Sequence, residues 1–132
     1  MSVDLEAFLR ARFDEDERVA SAATPGPWRY NPDKVWNLPG QHFGEEFVAA
    51  GTVDKPICVA GTGPADDPKS MADAAHIAQH DPARVLAEVE AKRRLIEDTW
   101  GGPDHEDMWL HHMRLLALPY VDHPDYREEW RP

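Results

Sequence analysis

The stretch Ala-Thr-Pro-Gly-Pro-Trp at residues 23–28 decides the fold, because it ends one structural pattern and starts another. Before it, apolar residues recur at helical spacing, which predicts a helix over residues 3–22 with Ser2 or Asp4 as its N-terminal cap. The two prolines lack an N–H and disfavour helical dihedral angles in the residue before each. The helix therefore stops, and the chain enters Trp28 in an extended conformation.

Residues 27–62 carry short apolar runs separated by turn residues, a pattern typical of β-strands. The short connections favour antiparallel neighbours, so we predict a three- to four-stranded antiparallel sheet. Ile57–Ala60 is continuously apolar, which favours a central strand and a buried Cys58. The four predicted strands cover residues 28–30, 35–38, 47–50 and 57–60.

Two or three helices are predicted to follow the sheet. At Asp67-Pro68 and Asp81-Pro82 a carboxylate that can cap a helix precedes a proline at the first helical position. The predicted ranges are 68–80, 82–99 and 106–118. In the last of these, the helical pattern is carried by Met108, Trp109, His112, Leu115 and Leu116. With an aromatic tail over residues 119–132, the pattern indicates a single α+β domain over residues 1–132.

Composition limits the classes of partner. Aspartate and glutamate number 25 against 14 lysines and arginines, a net charge of −11, and no basic patch offsets it, so a nucleic-acid partner is not expected. No apolar run approaches the roughly 20 residues that a membrane span needs. The lack of a secretion signal and the single cysteine, Cys58, predict a cytoplasmic protein. A homodimer, an unknown protein partner and a small-molecule ligand all stay open.

The tail is too rich in aromatic rings for plain disorder, since it holds Tyr120, Tyr126 and Trp130. Two interpretations follow. The rings pack on the sheet of the same domain, which is the preferred interpretation, or they anchor a partner.

The sharpest chemical pattern combines Asp73, His76 and His80, which share one stripe of a helix and form a candidate zinc site. Ala78 and Gln79 leave this segment without the glutamate that a metalloprotease helix needs as its general base. Solvated or packed histidines remain the preferred interpretation, so no cofactor is predicted, with zinc as the alternative. No catalytic residue is assigned.

A ligand site, if present, is expected at the edge between the 24–28 elbow and the helix that carries residues 73–80. The candidate binding residues for a ligand or partner are Thr24, Trp28, Asp73, His76, Tyr126 and Trp130.

Three motifs together resemble a family of small actinobacterial proteins of unknown function: Ala-Thr-Pro-Gly-Pro-Trp at 23–28, Ala-Asp-Ala-Ala-His-Ile-Ala at 72–78 and Asp-Pro-Ala-Arg-Val-Leu at 81–86. The Thr-Pro-Gly-Pro-Trp element and the alanine-rich helix are also locally similar to Ead-type proteins of tailed phages. The resemblance implies an accessory or mobile-element context, and it transfers no functional residue.

These observations favour a non-enzymatic binding or protein-interaction module that uses its aromatic surfaces. The alternative is a metal-dependent hydrolase that combines the Asp73, His76 and His80 stripe with a second cluster, in which a bound metal would activate water. The second cluster consists of Asp104, His105, Asp107, His111 and His112.

Overall fold

The computed structural model describes residues 2–30, 44–98 and 105–132. Its contacts divide the chain into two compact units, one built from Val19–Leu86 and the other from Met1–Arg18 together with Ala87–Pro132. The single domain therefore stays a prediction. The strand predicted at residues 35–38 lies outside the described residues.

The architecture is α+β, as the sequence predicts, with an N-terminal helix, a three-stranded antiparallel sheet and further helices. The helices are α1 (Ser2–Ala22), α2 (Pro68–Gln79), α3 (Pro82–Glu97) and α4 (Glu106–Ala117), and the strands are β1 (Arg29–Tyr30), β2 (Glu45–Gly51) and β3 (Pro56–Pro64). Two short 3-10 turns, Leu118–Tyr120 and Glu128–Trp130, shape the tail. Within the described ranges, we find no helix that combines the length and apolarity required to cross a bilayer.

Helix α1 presents one apolar stripe, as its spacing predicts. The buried residues of this stripe are Leu5, Phe8, Leu9, Phe13 and Ala20. The predicted N-terminal cap is wrong, because the helix already includes Ser2, and Asp4 lies in its first turn. The helix ends at Ala22, three residues before Pro25, where the prolines of the elbow prevent its continuation.

The sheet belongs to the Val19–Leu86 unit, and its strand order is β1-β2-β3. Strand β2 is central, since Val48 pairs with Tyr30 on one side and with Ala60 on the other. The prediction of a central strand at Ile57–Ala60 is therefore wrong for the described residues, and Cys58 is half-buried. The apolar runs Phe47–Ala50 and Ile57–Ala60 have the same length, so the sequence does not indicate which of them is central. In the structure, β2 is more deeply buried than β3.

Helix α2 packs against the sheet, and its first turn is tied to β3 by a side-chain hydrogen bond. Asp67 caps the helix, because its Oδ2 accepts bonds from the backbone N–H and the hydroxyl of Ser70, each at 3.0 Å. These bonds hold the pKa of Asp67 below its usual range. Thr62 of β3 donates from Oγ1 to the Ser70 carbonyl at 2.8 Å. The sequence signal Asp67-Pro68 thus marks a cap that also fixes the helix to its neighbouring strand.

The second unit contains the C-terminal part of α3, all of α4 and the tail. The core face of α4 is formed by Met113 and Ala117, which are buried, whereas Met108, His112 and Leu115 are exposed. Trp109 and Leu116 are half-buried, so they border the core face. The pattern allows two overlapping apolar stripes on this helix, and only one of them is buried.

Replacing Gly63 with alanine is expected to destabilise the fold by about 1–3 kcal/mol. Gly63 has φ +130°, and a Cβ there would clash with the Ser70 hydroxyl at the start of α2. We expect the urea midpoint, followed by circular dichroism, to fall.

Gly44→Ala is the matched control, since Gly44 also has a positive φ of +84°, but among the described residues no atom beyond its chain neighbours lies within 4 Å of the position that an alanine Cβ would occupy. The Gly44→Ala variant should be destabilised by backbone strain alone, by about 1 kcal/mol. Equal urea midpoints for the two variants would show that the clash with Ser70 does not contribute to the destabilisation of Gly63→Ala.

Candidate functional site

The aromatic tail packs on the first helix of its own chain. The ring of Phe8 lies at the centre, with Trp130 at 5.1 Å, Tyr126 at 6.0 Å and Tyr120 at 6.3 Å between ring centroids. Most of these pairs meet edge to face, the arrangement that aromatic quadrupoles favour. Trp130 is only 3% exposed. The preferred interpretation of packing on the sheet is therefore wrong in its location, since the rings pack on α1.

Polar contacts surround this cluster and orient it. Tyr120 donates its hydroxyl hydrogen to Asp16 Oδ2 at 2.5 Å. Burial, followed by this bond to a carboxylate, raises the pKa of Tyr120 well above its ordinary value. The hydrogen bond needs the protonated phenol, so the cluster favours the neutral tyrosine.

Two arginines place their guanidinium groups over rings of the cluster. Arg12 lies 5.3 Å from the centroid of Phe8 and contacts His123 Nδ1 at 2.8 Å. Arg127 lies 5.3 Å from the Trp130 ring and donates to Asp4 Oδ2 at 3.1 Å. Such cation–π contacts add roughly 0.5–1 kcal/mol at partly exposed sites. The sequence does not reveal Arg12 and His123 in this role, because nothing in a local pattern links residues more than a hundred positions apart.

The candidate residues Tyr126 and Trp130 thus contribute their rings to contacts within the chain. Their role as anchors for a partner stays a prediction.

The elbow residues Thr24 and Trp28 also make internal contacts. Trp28 Nε1 donates to the Thr24 carbonyl at 2.8 Å, and the Trp28 backbone N–H donates to Asp81 Oδ2 at 3.3 Å. The other carboxylate oxygen, Asp81 Oδ1, accepts from the Arg84 N–H at 3.0 Å at the start of α3. Gly26 permits this approach, since a Cβ there would lie 2.7 Å from Asp81 Oδ2. One carboxylate therefore caps α3 and holds the elbow.

The histidine stripe lies on the exposed face of α2. The rings of His76 and His80 are 4.5 Å apart, and His80 Nδ1 contacts the His76 carbonyl at 2.8 Å. Asp73 is exposed one turn earlier. Across the three described ranges, no group of three or more histidine, cysteine, aspartate or glutamate side chains is placed to hold a metal ion. The zinc site at Asp73, His76 and His80 stays a prediction with no assembled ligand set behind it.

A groove forms between the end of α3 and α4, and the sequence patterns do not locate it. We call it the α3–α4 groove; its volume is about 390 Å³ and most of its wall is apolar. Leu95 and Asp98 line it from the end of α3, and Trp109, His112, Met113, Leu115 and Leu116 line it from α4. Trp109 Nε1 reaches the Ile96 carbonyl at 3.4 Å, which helps to set the spacing of the two helices.

Large apolar side chains are exposed around this groove. Leu95 and Met108 are each 57% exposed, and Leu115 is 43% exposed. Leu118, just beyond α4, is exposed as well. Exposed apolar residues that occur singly need no explanation, whereas exposed apolar residues that line a groove, as Leu95 and Leu115 do, are typical of a binding surface. Trp109, His112, Leu115 and Leu116 carry the helical pattern that the sequence predicts for α4, but the pattern does not indicate that they line a groove.

Comparisons with known proteins give a family and no further relative. The model of a family of unknown function, DUF6221, matches residues 2–132. No curated protein matches the chain, and no solved structure does so either. The family match does not address an actinobacterial or phage-related origin, so both stay predictions.

Trp130→Ala is expected to lower the free energy of unfolding by about 3–5 kcal/mol, because it removes a buried indole from the Phe8 cluster. Urea denaturation of wild type and variant measures the change. Arg131→Ala, at the exposed neighbouring residue, is the control and should leave the midpoint nearly unchanged. A Trp130→Ala protein as stable as wild type would contradict the packing described for the tail.

The stability of the protein is expected to fall in alkali through Tyr120. Its pKa is raised in the folded state, so the contribution of this hydroxyl is complete below about pH 10, the ordinary tyrosine value, and is lost as pH rises towards the folded-state pKa. Between about pH 8 and pH 11 the wild type should lose more stability than Tyr120→Phe, which lacks the titrating group. Parallel stability curves for the two proteins would refute this assignment.

Proposed function

Because the chain belongs to DUF6221, a family of unknown function, no relative supplies an activity, and we propose that it is a non-enzymatic protein-interaction module. The binding surface in this proposal is the α3–α4 groove. The observation that carries it is that Leu95 and Leu115 line this groove and are exposed. Met108 and Leu118, seven residues before and three residues after Leu115, are exposed as well. The proposed location is the cytoplasm, supported by the use of a single cysteine.

The shape of the groove favours a protein partner over a small molecule. A small-molecule pocket encloses most of its ligand, whereas Leu95, His112 and Leu115 line this groove and are themselves exposed. Two further apolar side chains, Met108 in α4 and Leu118 just beyond it, are exposed outside the groove lining. A surface of this kind can seat a row of side chains from another protein and exclude water around them.

The energetics agree with this assignment. Exposed apolar surface gains about 25 cal/mol for each Å² that a partner covers. An aromatic residue at such a surface can act as an anchor, and Trp109 lies half-buried in the groove wall. Its indole N–H is already directed at the Ile96 carbonyl. The ring is therefore held in position before a partner arrives, which reduces the entropy lost on binding.

A photo-crosslinking amino acid at position 115 tests the proposal in cells that naturally produce the protein. We expect one discrete crosslinked product with another protein, and its loss when Leu95→Asp is added. Position 19 is the matched control, because Val19 is also an exposed apolar residue on a helix. Equal crosslinking at both positions, or none at position 115, would refute the proposed surface.

A further inference from the structure

The α3–α4 groove continues along α3. A second, more open depression is lined by Ala91, Arg94, Leu95, Glu97 and Asp98, and it shares Leu95 and Asp98 with the groove. The lining of α3 therefore extends from residue 91 to residue 98, and that of α4 from residue 109 to residue 116. Seven residue steps at 1.5 Å give about 10 Å along each helix. This length equals about two turns of an α-helix.

The charge at the α3 side of this surface is acidic. Asp98 is exposed, and no ion pair to it is found among the described residues. Glu97 is exposed beside it and lies 3.6 Å from an arginine of α1. The positive charge of Arg94 is offset by Glu90 at 3.0 Å. On the α4 side, the groove is lined by apolar residues and His112, with no lysine or arginine among the described lining residues.

A second copy of the chain does not complement this surface. The net charge of −11 opposes self-association, because two copies of the chain repel each other. A different protein that places a basic residue at Asp98 gains an attractive contact without this overall repulsion.

From these observations, and resting on the proposed function, we infer that the partner presents an amphipathic helix of about two turns with a basic residue beside its apolar face. Apolar residues at positions i, i+3 or i+4, and i+7 of that helix lie along the groove between Leu95 and Leu115. A lysine or arginine at its edge pairs with Asp98. The groove provides the binding energy, and the carboxylate selects the charge and direction of the helix.

Two stapled helical peptides of about 14 residues test this inference on the full-length chain. They share leucines at i, i+3 and i+7 and differ only in carrying lysine or glutamate at the flanking positions. Fluorescence polarisation of labelled peptide gives each Kd. We expect the lysine peptide to bind at least about tenfold more tightly than the glutamate peptide, and Leu115→Asp to abolish its binding.

The variant Asp98→Asn distinguishes the effect of an ion pair at residue 98 on peptide affinity from the effect of the overall negative charge. It should weaken binding of the lysine peptide by about 1.4- to fivefold, which corresponds to the roughly 0.2–1 kcal/mol typical of exposed ion pairs. Asp54→Asn is the matched control, because it removes one exposed carboxylate from the turn between β2 and β3 and gives the same net charge. Circular dichroism and urea midpoints establish that both variants fold.

The inference is overturned by failure of the lysine peptide to bind, by equal affinity for both peptides, or by an Asp98→Asn effect no larger than that of Asp54→Asn. Binding of a neutral apolar dye with no peptide binding would assign the groove to a small molecule. A dimer that dissociates on Leu115→Asp would assign it to a second copy. The proposed function survives a failed peptide test if the position-115 crosslink to another protein persists, so the two failures are distinguishable.

Discussion

The packing of the tail rings on Phe8 is the interaction on which the unit containing both chain ends depends. It joins residues 8 and 130, so nearly the whole chain lies between two side chains that touch. Closing so long a loop costs conformational entropy that only a large apolar contact offsets. Three rings and a histidine around one phenylalanine provide such a contact, since each aromatic side chain buries a large area.

Polar groups make this apolar contact specific. The hydrogen bond from Tyr120 to Asp16 and the ion pair from Arg127 to Asp4 attach both ends of the tail to α1. The ion pair between Arg127 and Asp4 is about half exposed, so solvent weakens it. It contributes mainly to the position of the tail along α1. The apolar rings provide the stability of the contact, and the peripheral polar groups define its position.

Local chemistry makes the helices predictable. The Pro-Gly-Pro elbow and the Asp67-Pro68 and Asp81-Pro82 starts act through dihedral angles and capping bonds that involve only neighbouring residues. The order of the strands could not be predicted in this way, because Phe47–Ala50 and Ile57–Ala60 are both apolar and only their packing distinguishes them. For the same reason the composition of the tail indicates that it packs but not where it packs.

The candidate site is harder still to predict. The α3–α4 groove exists because apolar side chains at the end of α3 and along α4 are not covered by other parts of the described structure. Hydrophobic periodicity predicts which face of a helix is apolar, but it does not predict whether that face is buried. The residues that the sequence does single out at the elbow, Thr24 and Trp28, engage each other and Asp81 instead. The residues that stand out in the sequence therefore stabilise the fold, whereas the proposed binding surface is lined by leucines, which do not stand out.

The position of Trp130 has a genetic consequence. A stop codon or frameshift just before the codon for Trp130 would remove an indole that is 3% exposed, so the shortened protein would lose its contact with Phe8 although residues 1–129 were unchanged.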